Sequence, residues 1–313
     1  MYTVRMANII VLAGGSSDER AVSLRSGVAV ARALQAGNHN VQVMDPADGL
    51  DNKIARLKAA DVVFPALHGV GGEDGVLQKF FEDNDICYVG SDSASSTLCF
   101  DKARYTVLLK EHGILVPDTA LVNFDQYQQS ALSQRPYVLK PNDGGSSIDT
   151  FIVREPHQAD KQAISEAFSR HGSLLLQELV TGTEITVAVL GSLSLPVIEI
   201  IPPADQEFDY ENKYNGATQE LCPPVNVNED VQAKAQALAS EIHGMTGCRD
   251  MSRTDMIVDP SGELYVLETN TIPGLTDQSL LPKAAAAGGL DMSALCHRLV
   301  LTALERSRGT DSF

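Results

Sequence analysis

Apolar and polar positions in the first hundred residues alternate between short apolar runs and longer segments with helical spacing. The runs are typical of buried strands, and the longer segments are typical of amphipathic helices. The predicted elements are strands at 7–13, 41–44 and 62–67 and helices at 22–34 and 76–81. This order predicts a parallel sheet covered by helices, with functional groups in loops at the carboxyl ends of the strands. Two glycine-rich segments, 13–17 and 68–75, fall at such strand ends.

Beyond residue 100 the pattern changes to short strands mixed with helices. Asp101 is a suitable N-cap for a helix that runs to His112, and Gly113 and Pro117 then end it. Further strands are predicted at 137–140, 150–153, 174–179, 184–190, 196–200, 254–258 and 264–267, and further helices near 157–170 and 230–245, followed by an alanine-rich helix and a last helix at 292–305. These changes predict three units, at residues 1–100, 101–184 and 185–313.

The overall charge narrows the kinds of partner. The formal net charge is -17, so no general affinity for nucleic acid or anionic membranes is expected, because both are polyanions. Any phosphate group must then be bound by a local cluster of lysine or arginine side chains. The apolar run at 7–13 is too short to span a membrane. The five cysteines are scattered without a C-x-x-C pair, which is typical of reduced thiols in a cytoplasmic protein.

Two short motifs near the C-terminus place polar side chains two residues apart. Arg253 and Asp255 have this spacing, and so do Glu268 and Asn270 on the next predicted strand. Residues two apart on a strand project from one face, so a hairpin would bring all four side chains together. Three oxygen ligands of this kind suit Mg²⁺ that also holds substrate phosphates. The alternative is that the acids only face solvent, but they end apolar strands, which favours a metal site.

Five motifs resemble those of the D-alanine–D-alanine ligases of the ATP-grasp superfamily, in the same order and over essentially the whole chain. The motifs are His68-Gly69-x-x-Gly72-Glu73-Asp74-Gly75, Lys140-Pro141 with Gly145-Ser146-Ser147, Phe208-Asp209-Tyr210-x-x-Lys213-Tyr214, Arg253-x-Asp255, and Glu268-x-Asn270-Thr271-x-Pro273-Gly274-x-Thr276-x-x-Ser279-Leu280. The resemblance implies an α/β (α+β) architecture, the ATP-grasp fold. An N-terminal parallel-sheet βαβ domain at 1–100 would bind substrate, and two α+β lobes at 101–184 and 185–313 would sandwich ATP.

The resemblance also implies a nucleotide site and a metal site. The residues that match ATP-binding positions are Lys102, Lys140, Ser147, Gln177, Glu178, Val180 and Glu184, and those that match metal ligands are Asp255, Glu268 and Asn270. Two Mg²⁺ ions, or Mn²⁺ in their place, are expected beside ATP. Without the resemblance, Lys102 would be interpreted as an exposed residue in the first turn of a helix. Lys140 ends an apolar run, so its charge needs a partner.

The implied reaction joins two D-alanine molecules in two steps. The carboxylate of the first attacks the γ-phosphate of ATP to give an acyl phosphate, and the amine of the second then displaces phosphate. The residues that match catalytic positions are Glu19, Ser146, Tyr214, Arg253, Gly274 and Ser279, and those that match substrate-binding positions are His68, Glu73, Lys213 and Leu280. The dipeptide is expected to serve peptidoglycan synthesis in the cytoplasm, and the resemblance implies a homodimer.

Several of these assignments have a competing interpretation. Ser16-Ser17-Asp18-Glu19 has the spacing of a capping box, so Glu19 could cap a helix. His68 could be a strand-end histidine that is bonded to the backbone. Lys213 and Tyr214 lie in a long polar stretch that is expected to close over the site. In the family, a tyrosine at the position of Tyr214 favours an amine over a hydroxy acid as the nucleophile.

Three positions depart from the family pattern, since Asp149 and Asp250 replace glycines and Gln177 replaces an acid. An added acid is unfavourable near phosphates unless a cation compensates it. Two alternative functions therefore stay open: an ATP-grasp ligase of other amino or hydroxy acids, and a nucleotide-binding protein that has lost turnover. An NAD-dependent dehydrogenase is not favoured, because the N-terminal glycines do not form G-x-G-x-x-G.

Overall fold

The N-terminal part is a parallel sheet flanked by helices. The computed structural model describes residues 6–144, 149–202 and 218–309. The strands are β1 (Asn8–Leu12), β2 (Asn40–Met44) and β3 (Val62–Pro65), parallel and in the order β2-β1-β3. The helices are α1 (Arg20–Ala36), α2 (Ile54–Ala59) and α3 (Val76–Asp83), with one turn of 3-10 helix at Asp51–Lys53. The predicted parallel sheet is confirmed. Helix α2 was not predicted, because its six residues are too few to show a helical period in the sequence.

Two consecutive helices lead out of this part. They are α4 (Ser93–Phe100) and α5 (Lys102–Glu111). The side chain of Asp101 accepts a hydrogen bond from the backbone N–H of Arg104 at 3.1 Å, which confirms Asp101 as the N-cap of α5. Since α5 starts at Lys102, this cap fixes the position of the first lysine assigned to the nucleotide.

The central part is built on a four-stranded antiparallel sheet in the order β4-β7-β5-β6. Its strands are β4 (Thr119–Val122), β5 (Tyr137–Lys140), β6 (Phe151–Val153) and β7 (Leu174–Glu178), and its helices are α6 (Phe124–Gln129) and α7 (Lys161–His171), with 3-10 turns at Ala131–Gln134 and Pro156–Gln158. The helix predicted from residue 157 therefore starts later, because Asp160 is its N-cap and accepts from the backbone N–H of Ala163 at 3.0 Å.

The C-terminal part contains a six-stranded sheet in the order β11-β10-β8-β12-β13, with β9 paired to β8. The strands are β8 (Thr183–Leu190), β9 (Leu193–Ser194), β10 (Ile198–Ile201), β11 (Gln219–Leu221), β12 (Met251–Val258) and β13 (Leu264–Asn270), and the helices are α8 (Glu229–Met245), α9 (Leu280–Ala287) and α10 (Met292–Ser307). Among the helices of the described residues, none has the length and apolar character to cross a membrane.

One hydrophobic core joins the N-terminal sheet to the helices at the end of the chain. Phe64 of β3 and Leu34 of α1 belong to the same buried cluster as Leu281 of α9 and Leu299 of α10. Burial of apolar surface is the main favourable contribution to folding. The first and last parts of the chain are therefore held against each other, and the space between them is fixed by this packing.

Asp250 ties the same two parts together by polar contacts. Its side chain is fully buried and accepts a hydrogen bond from the backbone N–H of Gly90 at 2.7 Å. Arg306 of α10 donates to the same carboxylate and, at 2.8 Å, to the carbonyl of Tyr88. Burial raises the pKa of Asp250, and Arg306 opposes that rise. The expectation that Asp250 adds charge to a phosphate site is wrong, because it lines neither of the two cavities described below.

Replacing Arg306 with methionine leaves the buried Asp250 carboxylate without its cation. Breaking a buried ion pair costs about 3–5 kcal/mol, so R306M is expected to lower the free energy of unfolding by about 3 kcal/mol, measured by urea denaturation. Arg308 is exposed at the end of the same helix, and R308M is the control, with an expected change below about 0.5 kcal/mol. Equal effects of the two substitutions would show that the Asp250 pair does not hold this junction.

Candidate active site

Two cavities, of about 1350 and 840 Å³, contain the predicted site residues. The larger is lined by ten of them: Glu19, His68, Glu73, Lys102, Arg253, Glu268, Asn270, Gly274, Ser279 and Leu280. The smaller is lined by Glu19, Lys102, Lys140, Gln177, Glu178, Val180, Glu184, Asp255 and Glu268. Glu19, Lys102 and Glu268 line both, so the two cavities adjoin. Ser146, Ser147, Lys213 and Tyr214 lie outside the described residues.

The predicted hairpin of β12 and β13 is present and has the register that the side chains require. Asp255 pairs with Glu268 and Arg253 pairs with Asn270 across the two strands. Directly opposed residues of an antiparallel pair project from the same face, so all four side chains share one face of the sheet. The hairpin prediction is confirmed. The role of these oxygens as metal ligands stays a prediction.

The guanidinium of Arg253 holds the carboxylate of Asp255 by two hydrogen bonds, of 2.9 Å from Nε and 2.7 Å from Nη2. The hydroxyl of Thr186 on β8 donates to the same carboxylate at 2.5 Å. Burial lowers the pKa of Arg253, but the charge of Asp255, the hydrogen bonds to it and the charge of Glu268 raise the pKa more, so the net change is a rise. Arg253 is therefore a permanent cation whose orientation is fixed by its neighbour on the strand.

The donor set fits a hard divalent cation. Asp255 and Glu268 offer carboxylate oxygens, and Asn270 offers an amide oxygen, which also accepts from the backbone N–H of Ile272 at 3.2 Å. Oxygen ligands of this type suit Mg²⁺ or Mn²⁺ rather than a metal that prefers sulfur or nitrogen. Within residues 6–144, 149–202 and 218–309, no three His, Cys, Asp or Glu side chains meet as a metal-holding group. Two carboxylates and an amide would thus share the cation with phosphate oxygens.

Lys102 is buried at the junction of the cavities rather than exposed. Its ammonium lies 3.5 Å from the carboxylate of Glu268 and donates to the carbonyl of Gly144 at 2.6 Å. The interpretation of Lys102 as an exposed first-turn residue is wrong. Gly144 directly precedes the segment 145–148, so this lysine binds the backbone at the start of the predicted phosphate loop.

Two acids from the N-terminal part, Glu19 and Glu73, line the larger cavity together with the cations Lys102 and Arg253. Burial, together with the charge of Glu19, raises the pKa of Glu73 to about 8, against a hydrogen bond from the backbone N–H of Gly69 that lowers it. That bond has a length of 2.7 Å. Glu19 is the N-cap residue of α1, but its side chain makes no capping hydrogen bond, so the capping-box interpretation is wrong. The side chain is instead buried beside the larger cavity.

His68 connects the N-terminal part to the loop after β13. Its Nε2 lies 3.0 Å from the hydroxyl of Ser26 on α1, and it shares a hydrogen bond with the backbone of Ile272. Burial lowers the pKa of His68 to about 4, so the ring is neutral at neutral pH. The interpretation of His68 as a histidine bonded to backbone is thus partly right, and the contact with Ser26 shows that it also joins two elements.

The loop from Gly274 to Ser279 is tightly folded. Ser279 Oγ accepts from the backbone N–H of Thr276 at 3.1 Å and lies 2.8 Å from its hydroxyl. A Cβ at Gly274 would lie 2.7 Å from Ser279 Oγ, so a larger residue here would displace the Ser279 hydroxyl. Leu280 is the first residue of α9, which places a helix N-terminus, with its free N–H groups, on the cavity wall. Such a terminus favours a bound carboxylate.

The smaller cavity has the polar and apolar walls that a nucleotide base and its phosphates require. The amide nitrogen of Gln177 is buried and donates to the hydroxyl of Thr119 at 3.1 Å. The sequence interpretation did not include the apolar wall, which consists of Val138, Ile152, Leu179, Ile257 and Leu267. These residues are half-buried, and apolar side chains carry no chemical signal in one sequence, so this wall could be found only from the fold.

Asp149 lies beside this cavity with its charge compensated. Its carboxylate accepts from Arg170 Nε at 3.1 Å and from Nη2 at 2.6 Å, and it lies 2.7 Å from His171 Nε2. The hydrogen bonds of Arg170 lower the pKa of Asp149 below its usual value. The guanidinium of Arg170, near the end of α7, therefore removes the objection that an acid here would repel phosphates.

Comparisons with known proteins agree with this arrangement. The family model described as D-ala D-ala ligase C-terminus matches residues 108–301, and that described as D-ala D-ala ligase N-terminus matches residues 45–91. A D-alanine--D-alanine ligase of Xanthobacter autotrophicus is 39% identical over 305 residues, with 96% of this chain and 99% of the relative covered. One of Nitratidesulfovibrio vulgaris is 38% identical, with 93% and 96% covered.

Solved structures agree as well. The D-alanine--D-alanine ligase of Bacillus anthracis, complexed with ATP, superposes with a TM-score of 0.81 at 28% identity and covers 97% of this chain and 99% of its own. The VanG D-Ala:D-Ser ligase of Enterococcus faecalis superposes with a TM-score of 0.79 at 29% identity and covers 96% and 100%. The α/β architecture with one parallel and two antiparallel sheets is therefore the fold of these ligases.

The raised pKa of Glu73 predicts a pH dependence of stability. Since the folded pKa is about 8, above the ordinary value of about 4.3, the folded chain keeps a proton that the unfolded chain releases between these values. The free energy of unfolding should then fall as pH rises from about 5 to 8, by up to about 1.4 kcal/mol per pH unit. In Glu73→Gln this fall should be absent, measured by urea denaturation across that range.

The control for this substitution is Glu111→Gln, since Glu111 is exposed on α5. It should keep the slope of the unmodified chain. If Glu73→Gln also keeps that slope, Glu73 does not hold its proton in the folded protein.

Proposed function

The chain belongs to the D-alanine–D-alanine ligase family, and we propose that its two cavities together are the active site of an ATP-dependent ligation of two D-alanine molecules. One observation carries the proposal: Lys102 and Glu268 line both cavities. A nucleotide in one cavity and a carboxylate in the other would therefore meet at the charged wall that these two residues form. There the phosphoryl group of the nucleotide can reach the carboxylate. The dipeptide product, D-alanyl-D-alanine, fits the peptidoglycan role expected for the family.

The smaller cavity binds ATP in this proposal. Glu178 and Val180 offer backbone groups to adenine, and Glu184 accepts from the ribose hydroxyls. Because the amide nitrogen of Gln177 donates to Thr119, its oxygen is the atom that can accept from the adenine amino group. Glutamine thus retains the acceptor that an acid at this position would offer. Lys140, which also lines this cavity, contacts phosphate together with Lys102.

Asp255, Glu268 and Asn270 hold two Mg²⁺ ions in this proposal, with Mn²⁺ as the substitute. The ions would neutralise charge that develops on the phosphates. The support is the donor set and the register that places the two carboxylates opposite each other. Arg253 already compensates Asp255, so a cation held by these residues would lie beside a fixed positive charge.

The first substrate lies in the larger cavity in this proposal, with its ammonium at Glu19. The carboxyl of Glu73 has a pKa of about 8 and is protonated at neutral pH, so it offers a hydrogen bond rather than a second charge. His68, which is neutral, positions the loop after β13 through Ile272. The carboxylate of this substrate attacks the γ-phosphorus, the bond to the ADP oxygen breaks, and D-alanyl phosphate forms.

The second substrate binds with its carboxylate at Ser279 and the backbone N–H of Leu280. Its uncharged amine attacks the acyl carbonyl, and the resulting oxyanion is stabilised by Arg253 and the backbone N–H of Gly274. Collapse of this intermediate forms the peptide bond, releases phosphate and leaves the amine proton to solvent or phosphate. The assignments of Ser146 and Tyr214 to the first substrate, of Ser147 to ATP and of Lys213 to the second substrate stay predictions.

Each of the three units of the chain has its own role in the proposed reaction. Residues 1–100 would bind the first substrate, 101–184 would bind ATP, and 185–313 would hold the metal and the second substrate, with a boundary just inside β8. The support is that each range contains one of the three sheets almost entirely. The cytoplasm, where ATP is available, is the proposed location.

A homodimer is the proposed state in solution, supported by the family resemblance. Light scattering of the purified chain is expected to give twice the monomer mass of 33.6 kDa. The dimer would be refuted if the mass stays equal to that of one chain at all protein concentrations, up to about 100-fold above the concentration used in the enzyme assay.

The ligation is tested by following ADP, phosphate and dipeptide formation by mass spectrometry. Product is expected only when ATP, Mg²⁺ and D-alanine are all present, and chelation of Mg²⁺ should abolish it. Arg253→Lys keeps the charge but loses the bidentate geometry and should lower kcat by about 10²-fold.

The control is Arg249→Lys, since Arg249 is paired with Asp92 and lines neither cavity; it should keep kcat. Tight ATP binding by calorimetry without any product would instead favour a chain that has lost turnover. A clear preference for another amino or hydroxy acid would favour a ligase of different specificity.

A further inference from the structure

An ion pair that the mechanism does not use lies in the wall of the larger cavity. Lys283 of α9 donates to the carboxylate of Glu220 on β11, and both residues line the cavity together with Arg253, Gly274 and Ser279. The side chain of Glu220 is only 10% exposed and that of Lys283 is 34% exposed. A carboxylate with so little access to water needs a cation close to it.

Lys283 is one helical turn from the proposed contacts of the second substrate. Its backbone N–H donates to the carbonyl of Ser279 at 3.2 Å, and Leu280 is the first residue of the helix. The other seven residues of α9 are apolar, in the sequence Leu-Leu-Pro-Lys-Ala-Ala-Ala-Ala. A change in the direction of this helix would therefore move both the Ser279 hydroxyl and the Leu280 N–H.

Glu220 fixes the other end of the pair to the sheet. It pairs with Ile200 in the antiparallel register of β11 with β10. β11 is the strand at the edge of the six-stranded sheet that is farthest from β13. The ion pair thus connects the edge of the sheet to a helix whose first turn lines the same cavity.

We propose that the ion pair of Glu220 and Lys283 positions the first turn of α9 for the second substrate. The inference rests on the proposed function, and neither side chain is given a chemical step. The pair holds the helix against the sheet edge, and this contact sets where Ser279 and Leu280 meet the carboxylate of the incoming D-alanine. Small displacements of positioning groups are known to cost up to about 100-fold in rate.

A pair that only stabilises the fold would act on all steps alike, whereas a positioning pair acts on one substrate. Each reaction consumes two molecules of D-alanine, which bind at different positions. When the rate is measured at saturating ATP as a function of D-alanine concentration, the curve therefore gives one KM for the first D-alanine and another for the second. Lys283→Met is expected to raise the KM of the second D-alanine by about 10-fold. The KM of the first D-alanine and that of ATP should stay within about twofold.

The charge-exchanged variant keeps the proposal falsifiable if a single substitution harms folding. Lys283→Glu alone places two acids together and should raise the second KM more than Lys283→Met does. Combined with Glu220→Lys, it recreates the pair in reverse and should bring the second KM back to within about threefold of the unmodified chain. Failure of the double variant to recover would overturn the ion pair as the positioning contact.

The matched control is Lys53→Met, which breaks the pair of Lys53 with Asp48. Neither residue lines either of the two cavities described above, so all three constants should be unchanged. A parallel rise of all constants in Lys283→Met, or no rise, would also overturn the inference. If the unmodified chain makes no D-alanyl-D-alanine, the proposed function itself is refuted. If the chain is active but Lys283→Met does not change the second KM selectively, only the inference about the ion pair is refuted.

Discussion

The guanidinium of Arg253 lies between the carboxylates of the candidate site, and the arrangement of the site depends on it. Asp255 and Glu268 both act on this one cation. In a chain with a net charge of -17, carboxylates packed at a phosphate site would repel both each other and the nucleotide. Arg253 and the buried Lys102 supply the fixed positive charge that makes this clustering possible. The bidentate contact with Asp255 also fixes the direction of the guanidinium.

The packing of the chain ends supplies the rest of the geometry. One core contains residues of the first strands and of the last two helices, and Asp250 with Arg306 adds a polar contact at the same junction. His68 and Ser26 lie on this junction as well, next to the loop after β13. The larger cavity is therefore a space between distant parts of one chain. Its shape depends on how well these parts are held together.

Short-range patterns in the sequence predicted the parallel sheet, the hairpin of β12 and β13 and the cap at Asp101, because period and spacing determine these features locally. Long-range partners were not predictable in the same way. The spacing of Ser16 and Glu19 indicated a capping box that does not form, since α1 begins only after Glu19, whose side chain lines both cavities. The compensation of Asp149 by Arg170 depends on a residue 21 positions away. Lys283 gave no signal beyond a single charge in an apolar run.

The sharing of Lys102 and Glu268 by the two cavities has a thermodynamic consequence. A ligand that places negative charge in one cavity changes the electrostatic potential in the other, because the same ammonium and carboxylate belong to both walls. In the proposed function, binding at the two sites is therefore linked. Linkage is reciprocal: the factor by which the nucleotide would change the affinity for the amino acid equals the factor by which the amino acid would change the affinity for the nucleotide. The wall between the cavities thus couples occupancy of one cavity to occupancy of the other.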